Sequence, residues 1–519
     1  MERCVRTGGT VVEGDFRPRI QVHGKGRTIA EFGDELGRML SRQDFFKRSD
    51  ICFTVEEGDL KMMTPEKFIG WVLLHACLFT VRSSNGGETW EENVTMSRAS
   101  AADLMAIPQF LQHIRPLNYL NQVSLPVWRE ATDSSPQRLE LLEPGYDAAT
   151  GAYTVGGVDF RRDLPLMEGI RCLEHWVSGF DFDPDDADRS RAVLIAEMLT
   201  VFCDLMFAAS TQRPLFVNSA NSPGGGKTLG VRLAVCPVHG SLRITAPPRK
   251  GNSESLEKKL DSIALAAQPY VCLDNWRGVV EDPVLEGFHT ATEWSNRVLG
   301  ESRMFSVEKR CLIFVTANGG IVNADMRRRV LMCDFFVDID RPEERVYAFD
   351  LDEEVILRRR SEILAALWSL VREWAAAGQP AGSIAHGTFK KWSLVIGGMM
   401  EHAVFTNPCR RPKRDLDDKL SDMTRLLAAA LGETGLEGMD FETEKREFKP
   451  ADLLELARSL GCFAWALDET GPGTSSEARS ERGKVAAYFN EYQKRNLAGR
   501  RLRIEGKGHA RRYVVEVVQ

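Results

Sequence analysis

Between residues 166 and 347, short apolar runs alternate with longer stretches of helical spacing. PLFVNSA, SLRITA, PYVCLD, RCLIFVTA and RVLMCDFFVDI are the runs in question. Runs of this kind read as strands buried on both faces. Separated by loops and helices, they predict a mostly parallel sheet covered on two sides. The segment before them, DADRSRAVLIAEMLTVFCDLMF, is expected to be a helix that starts from acidic capping candidates. Its apolar stretch is broken by Glu197 and Asp204, which makes it a buried helix and not a membrane span.

Residues 1–165 mix two periodicities. TIAEFGDELGRMLSRQ and TPEKFIGWVLLHACLFTV have helical spacing, whereas DICFTVEEGDLKM alternates like a hairpin. In PGYDAATGAYTVGGVDF, Pro144-Gly145 and Thr150-Gly151 punctuate two short strands. No motif of known chemistry occurs here, so the expectation is an α+β domain that docks, sits on DNA or forms an oligomer collar. Residues 348–408 read as helices that extend the central domain, and the basic, proline-containing NPCRRPKRD follows. In residues 409–519, DLDDKLSDMTRLLAAALGE, KPADLLELARSLGCFA and SERGKVAAYFNEYQKRN are predicted helices. DETGPGTSSEARSERG is a predicted loop, and GRRLRIEGKGHARRYVVEVV two strands joined by a tight turn. This division suits a chain of 519 residues, for which length alone suggests about three domains.

Composition narrows the class. The chain is 43% hydrophobic and 27% charged with a net charge of -7, so any nucleic-acid surface must be local. Its 11 cysteines are scattered without a Cys-x-x-Cys pair, which argues for reduced thiols and against zinc or a disulfide framework. The start, MERCVRTGGTVVEGDFRPR, lacks the apolar core of a signal peptide. A soluble cytoplasmic protein with no membrane partner is expected.

The candidate chemistry begins at LFVNSANSPGGGKTLGVRLA, residues 215–234. A Gly-x4-Gly-Lys-Ser/Thr loop directs backbone N–H groups and the positive end of the following helix at phosphates. Its lysine reaches the outer phosphates and its hydroxyl ligates magnesium. Pro223, Gly224, Gly225, Gly226, Lys227 and Thr228 fit this pattern, with Asn221 where the first glycine is expected. Asparagine tolerates left-handed backbone, so the turn stays feasible. An apolar strand before the loop and a helix after it set it in the right context for ATP and Mg2+. PYVCLDNWRG then delivers Asp274 to a strand end where magnesium would sit. RCLIFVTANGG ends in Asn318, which could orient an attacking water, and ADMRRRVLMCDFF runs an arginine cluster into a strand.

The order SPGGGKT, LDN, TAN and DMRRR resembles the superfamily 3 / AAA+ helicase domains of phage, plasmid and mobile-element primase-helicase proteins. GYDAATG, TATEWSNRVLGES and DIDRPEERVYAFD are similar to that family too, and the likeness spans about residues 30–410. It implies an α/β P-loop NTPase core with a parallel sheet, an α+β N-terminal domain and a C-terminal winged-helix-like domain. It also implies roles: Lys227 on the outer phosphates, Thr228 and Asp274 on magnesium, and Asn318 as sensor. Arg329, and secondarily Arg328, would be the arginine finger entering a neighbour's site. A finger acting in trans requires a homo-oligomer, and the resemblance implies a hexameric ring. Asn275 stands where many AAA+ proteins keep a catalytic glutamate; an amide can orient water but cannot take its proton. No clustered acidic ligands or zinc cysteines suggest a primase, which would be a separate protein.

For the DNA contacts, superfamily 3 proteins place a pore hairpin between the Asp274 and sensor strands. NRVLGESRMFSVEKR occupies that interval with Arg297, Arg303, Lys309 and Arg310; phosphate tracking needs such positive charge rather than base-specific groups. At the C-terminus, Lys494, Arg495, Arg500, Arg501, Arg503, Lys507, Arg511 and Arg512 face only Glu505 between residues 494 and 512. A helix followed by a basic two-stranded wing is a common DNA-binding layout. The expected function is an ATP-dependent helicase or translocase on single-stranded or forked DNA, in replication of a mobile element or phage-like genome. Two alternatives stay open. One is an AAA+ remodeller or loader acting on a protein partner, for instance in defence. The other is an ATP-gated DNA-binding initiator with little turnover.

Overall fold

A computed structural model describes residues 5–7, 10–12, 17–24, 26–131, 136–184, 186–220, 224–248, 253–276, 279–280, 282–298, 303–318, 321–322, 324–336, 349, 351–412, 418–432, 445–460, 462–463, 466–467, 475–493, 500–506 and 510–517. The chain divides into two compact units, Met1–Arg411 and Pro412–Gln519.

The first unit is organised by a five-stranded sheet. Its order is Ile244–Thr245, Tyr270–Trp276, Leu312–Asn318, Leu215–Ala220, Val330–Phe335, and every pairing is parallel. All five strands therefore end on one edge. Phe216 and Phe314 are paired in register and stack at 5.4 Å between ring centres, and Trp392 lies edge-on to Phe216 at 6.2 Å. The Trp392 indole N–H donates to the Thr200 hydroxyl at 3.0 Å, so this buried ring strands no polar group. The helix Ala187–Phe202 is buried almost from end to end, as its apolar run required. Its capping differs from expectation: Asp186 makes no side-chain cap and pairs instead with Arg410 at 2.7 Å.

Among the described residues five smaller sheets precede this core, and two of them carry elements expected from the sequence. One has the order Asp59–Met62, Ile51–Glu56, Phe45–Arg48, Arg115–Pro116, and contains the hairpin expected from DICFTVEEGDLKM. The other joins Arg19–Gln21, Cys77–Ser83 and Thr89–Asn93. TPEKFIGWVLLHACLFTV is not one helix. The helix Pro65–His75 stops at the extended residue Ala76, and Cys77–Ser83 pairs with Thr89–Asn93 as a strand. Backbone pairing on two sides outweighed the helical spacing there. Arg48 anchors this region to the core. Its guanidinium, buried and pushed down to about 10 by desolvation, donates to the carbonyls of Leu117 at 2.7 Å, Ala264 at 2.9 Å and Glu308 at 3.2 Å.

The second unit runs helix Asp418–Ala430, strand Lys445–Phe448, helices Pro450–Ser459 and Ser475–Tyr492, then strands Arg500–Glu505 and Arg512–Val517. The sheet is antiparallel with Arg512–Val517 in the centre. Phe489 packs edge-on against Tyr513 at 5.3 Å and near Phe463 at 5.7 Å, in a core shared with Leu426 and Leu453. The third helix begins at Ser475, inside the stretch expected to be loop; Glu, Ala and Arg there favour helix enough to outweigh the single Gly483. Among the described residues no helix is long and apolar enough to cross a membrane, and Cys52 to Cys462 are all free thiols.

Because Phe216 is fully buried on an interior strand of the parallel sheet, Phe216→Ala should lower the unfolding free energy by about 3–5 kcal/mol. Urea titration followed by circular dichroism should show the loss as a lower midpoint.

Candidate functional site

The strand Leu215–Ala220 runs into the glycine loop, and the helix Lys227–His239 leaves it. Asn221 and Pro223 lie outside the described residues. Gly224 at φ 78° and Gly226 at φ 89° hold the left-handed backbone that glycine adopts without a Cβ penalty, and Gly226 is the residue at which the helix starts. A side chain at Gly226 would also meet the Phe180 ring at 3.3 Å. Lys227 opens the helix and is largely buried. Desolvation holds its pKa below the usual lysine value, with the nearby Asp274 charge acting the other way.

The Thr228 hydroxyl donates to Asp274 Oδ1 at 2.8 Å, so the loop helix and the Tyr270–Trp276 strand meet at the sheet edge. A second hydroxyl reaches the same oxygen: Thr316, on Leu312–Asn318, donates at 2.7 Å. Thr316 Oγ1 in turn accepts from the Asn275 backbone N–H at 2.8 Å. Sequence reasoning passed over Thr316, although it stands two residues before Asn318 in the TAN run. Asn318 closes the same strand at its C-terminal end.

A hydroxyl and one carboxylate oxygen are hard ligands, the kind magnesium accepts when substrate phosphates and waters complete its octahedron. Among the described residues there is no cluster of three or more His, Cys, Asp or Glu that could hold a metal by itself. The donor set therefore fits a metal shared with a nucleotide.

Asn275 has φ 64° and an exposed side chain, and the register between its strand and Leu312–Asn318 shifts between Leu273 and Trp276. Left-handed backbone costs a non-glycine residue about 1–2 kcal/mol, and asparagine adopts it more readily than most. The local backbone thus favours asparagine over glutamate at this position.

Arg329 immediately precedes Val330, which is in register with Leu215. It stands at the N-terminal edge of the sheet, with the length of the strand Leu215–Ala220 between that edge and the one where Asp274 and Thr228 meet. It is 3.5 Å from Glu286. Arg328 beside it is exposed. Neither arginine is brought to the Lys227 end of its own chain.

The expected hairpin is formed by Glu293–Arg297 and Met304–Glu308, antiparallel, with Arg297 opposite Met304; residues 299–302 lie outside the described residues. Trp294 donates to Asp261 at 2.7 Å and Asn296 to Glu257 at 3.0 Å, which fixes the hairpin to the helix Ser253–Leu265. Arg297 and Arg303 are exposed near its tip. Lys309 and Arg310 depart from expectation. Lys309 is buried, donates to the carbonyls of Phe288 at 2.6 Å and His289 at 3.1 Å, and lies 4.9 Å over the Phe288 ring. Burial pushes its pKa down to about 8. Arg310 donates to the Phe207 carbonyl at 2.9 Å and pairs with Glu308 at 3.2 Å. Both bind the hairpin's base to the core.

The C-terminal charge is also partly internal. Arg500 is buried at 6% exposure, against the expectation that it faces DNA. Arg501 donates through Nε to Glu516 at 2.8 Å, and Arg503 is 3.2 Å from the same carboxylate and 3.3 Å from Glu505. Glu516 lies beyond the span over which the charge was counted. Arg511 donates to Asn490 at 2.6 Å, and Arg512 is half-buried. Lys507 lies outside the described residues.

No family model and no curated protein matches the chain. Solved structures offer distant likenesses. The NrS-1 C-terminal region in its A-form apo structure is 11% identical, with a TM-score of 0.35, covering 88% of this chain and 100% of that one. A second structure of that region is 12% identical with a TM-score of 0.33, covering 87% and 99%. A structure described as the SCCmec type IV Cch active helicase is 10% identical with a TM-score of 0.28, covering 92% and 98%.

The geometry separates the roles of three side chains. Thr316→Val removes one of two hydroxyls from Asp274 and strands the Asn275 N–H, so unfolding free energy should drop by about 1–3 kcal/mol, read in a denaturant titration. Lys309→Ala strands the carbonyls of Phe288 and His289 and should destabilise by a similar amount, about 1–3 kcal/mol, in the same titration. Arg303→Ala, at an exposed position near the hairpin tip, should shift the unfolding midpoint less than Lys309→Ala.

Proposed function

We propose that this chain is an ATP-hydrolysing motor that moves on or separates DNA strands as a ring of identical subunits. The observation that carries the reading is the contact of Thr228 with Asp274 at the end of a parallel sheet, beside a lysine at the first turn of the loop helix. On this reading Lys227 holds the outer phosphates, and the Gly224–Gly226 backbone, with the helix N-terminus, cradles them. Thr228 and Asp274 hold magnesium, which when bound with ATP neutralises charge on the phosphates. Thr316 keeps Asp274 oriented, and Asn318 positions the water. The finger is Arg329, with Arg328 as second candidate. Its place at the opposite sheet edge from Lys227 suits service to a neighbouring subunit.

The hairpin with Arg297 and Arg303 would contact the DNA backbone. The C-terminal unit, with its helix–strand–helix–helix–strand–strand order, would be a winged-helix-like DNA-binding domain presenting Arg511 and Arg512, and residues 1–165 a docking or collar domain. A partner primase would be a separate protein. Asn275 favours one second reading. With an amide at position 275, which cannot accept the water's proton, the same site would serve an ATP-gated DNA-binding initiator with little turnover.

Mixing two inactive variants tests the shared site. Lys227→Ala should abolish ATP binding. Arg329→Ala should bind ATP but hydrolyse it on the order of 10³-fold more slowly. When the two are mixed, some interfaces pair an intact lysine with an intact arginine, so DNA-stimulated phosphate release should reappear. No recovery together with a strictly monomeric protein would refute the ring, and tight ATP binding without turnover in wild type would favour the initiator.

A further inference from the structure

Behind the phosphate loop lies a polar pair that the proposed mechanism does not use. Glu197, at 0% exposure, sits in the middle of the helix Ala187–Phe202 and faces Asn218 of the strand Leu215–Ala220. The Asn218 amide nitrogen donates in two directions, to Glu197 Oε2 at 3.3 Å and to the backbone carbonyl of Lys227 at 3.4 Å. The Lys227 carbonyl is an acceptor whatever the state of Glu197, and this settles that the amide nitrogen points towards it.

That arrangement leaves two buried oxygens, Glu197 Oε1 and Asn218 Oδ1, without a donor. A buried carboxylate with one weak partner is among the costliest groups a core can hold. Among the described residues the nearby cations are Arg189, which donates to the Arg410 and Met332 carbonyls, and Arg232, which pairs with Glu353. Their charges reach Cys333 and Cys272, and neither is paired with Glu197. The Val330–Phe335 strand contributes Cys333, whose thiol donates to the Ser190 carbonyl at 3.4 Å, and the Tyr270–Trp276 strand contributes Cys272. Burial pushes both thiols up, so each is neutral near physiological pH. The Lys227–His239 helix faces the pair with the Lys227 carbonyl, and the Lys390–His402 helix meets the next turn through Trp392 and Thr200. The helices Leu166–Val177 and Arg360–Ala376 bury apolar faces, with Ser369 bonded to its own helix at 2.7 Å.

We propose that Glu197 carries its proton in the folded protein and forms with Asn218 a neutral acid–amide clasp that holds the first turn of the phosphate-loop helix in place. The proton removes the buried charge and gives the pair the one O–H donor it lacks. Burial, opposed by the Asn218 hydrogen bond, raises the Glu197 carboxyl from 4.5 to about 8. Glu197 is thus a positioning residue for the nucleotide site, acting through Asn218 and the Lys227 main chain. The consequence for nucleotide rests on the functional reading above; the proton itself does not.

The sign follows from linkage. With the folded pKa raised, Glu197 stabilises the fold fully below its unfolded value, and that contribution fades as pH rises from about 4.5 towards about 8. Glu197→Gln keeps the shape, stays neutral and provides an N–H donor. Melting temperatures of nucleotide-free wild type and E197Q, taken between about pH 6 and about pH 9, should therefore diverge, wild type falling relative to the variant. Contributions from Lys309 and the buried histidines are common to both proteins and cancel in the difference. MgATP affinity, by calorimetry over the same range, should fall about tenfold in wild type and stay level in E197Q. A carboxylic-acid carbonyl band in the infrared spectrum of wild type, lost on alkalinisation, reads the proton directly even if E197Q folds poorly.

Absence of that band at neutral pH, or a melting difference independent of pH, overturns the protonated clasp. A pH-dependent melting difference with unchanged MgATP affinity overturns its role in positioning. If neither protein binds MgATP at any pH, the nucleotide reading fails and takes that role with it, while melting and infrared still report the proton.

Discussion

One carboxylate holds the candidate site together. Asp274 Oδ1 accepts from Thr228 on the loop helix and from Thr316 on the neighbouring strand, so three separate pieces of chain are tied at a single oxygen. This works only because the sheet is parallel throughout, which brings the ends of Leu215–Ala220, Tyr270–Trp276 and Leu312–Asn318 to the same edge. An antiparallel partner among them would have sent one group to the far side. Thr316 extends the tie to the backbone of Asn275 and helps to hold that residue in its left-handed turn.

The same parallel geometry explains why the chain carries its polar chemistry on two edges. Phosphate-binding groups gather where the strands end, whereas Arg329 lies where Val330–Phe335 begins, paired with Glu286. A strand's length separates the two within one chain. Under the proposed reading that separation is what a shared site between subunits needs, since each subunit offers one half of the chemistry on each face.

Much of this architecture was legible in the residues. The apolar runs marked the sheet, and the glycines and Lys227 marked the turn into a helix, whereas the hairpin was expected from the family resemblance. Charge was a poorer guide. Lys309 and Arg310 stand in sequence beside Arg303, yet carbonyls of Phe288, His289 and Phe207 draw both inward. In the second unit Glu516 sits opposite Arg501 in the antiparallel register and neutralises a side chain counted as basic surface. A charge count along the chain cannot see a partner that arrives from the adjacent strand.

By itself, the sequence determined where the chain would bury apolar surface, where it would turn, and which loop could meet phosphate, because these depend on local periodicity and on backbone freedom at glycine. Which hydroxyl reaches Asp274, which amide meets Glu197 and which cations are withdrawn into the core were decided only by tertiary structure. Those pairings join residues tens to hundreds of positions apart, through strand order and register, and no local pattern encodes either.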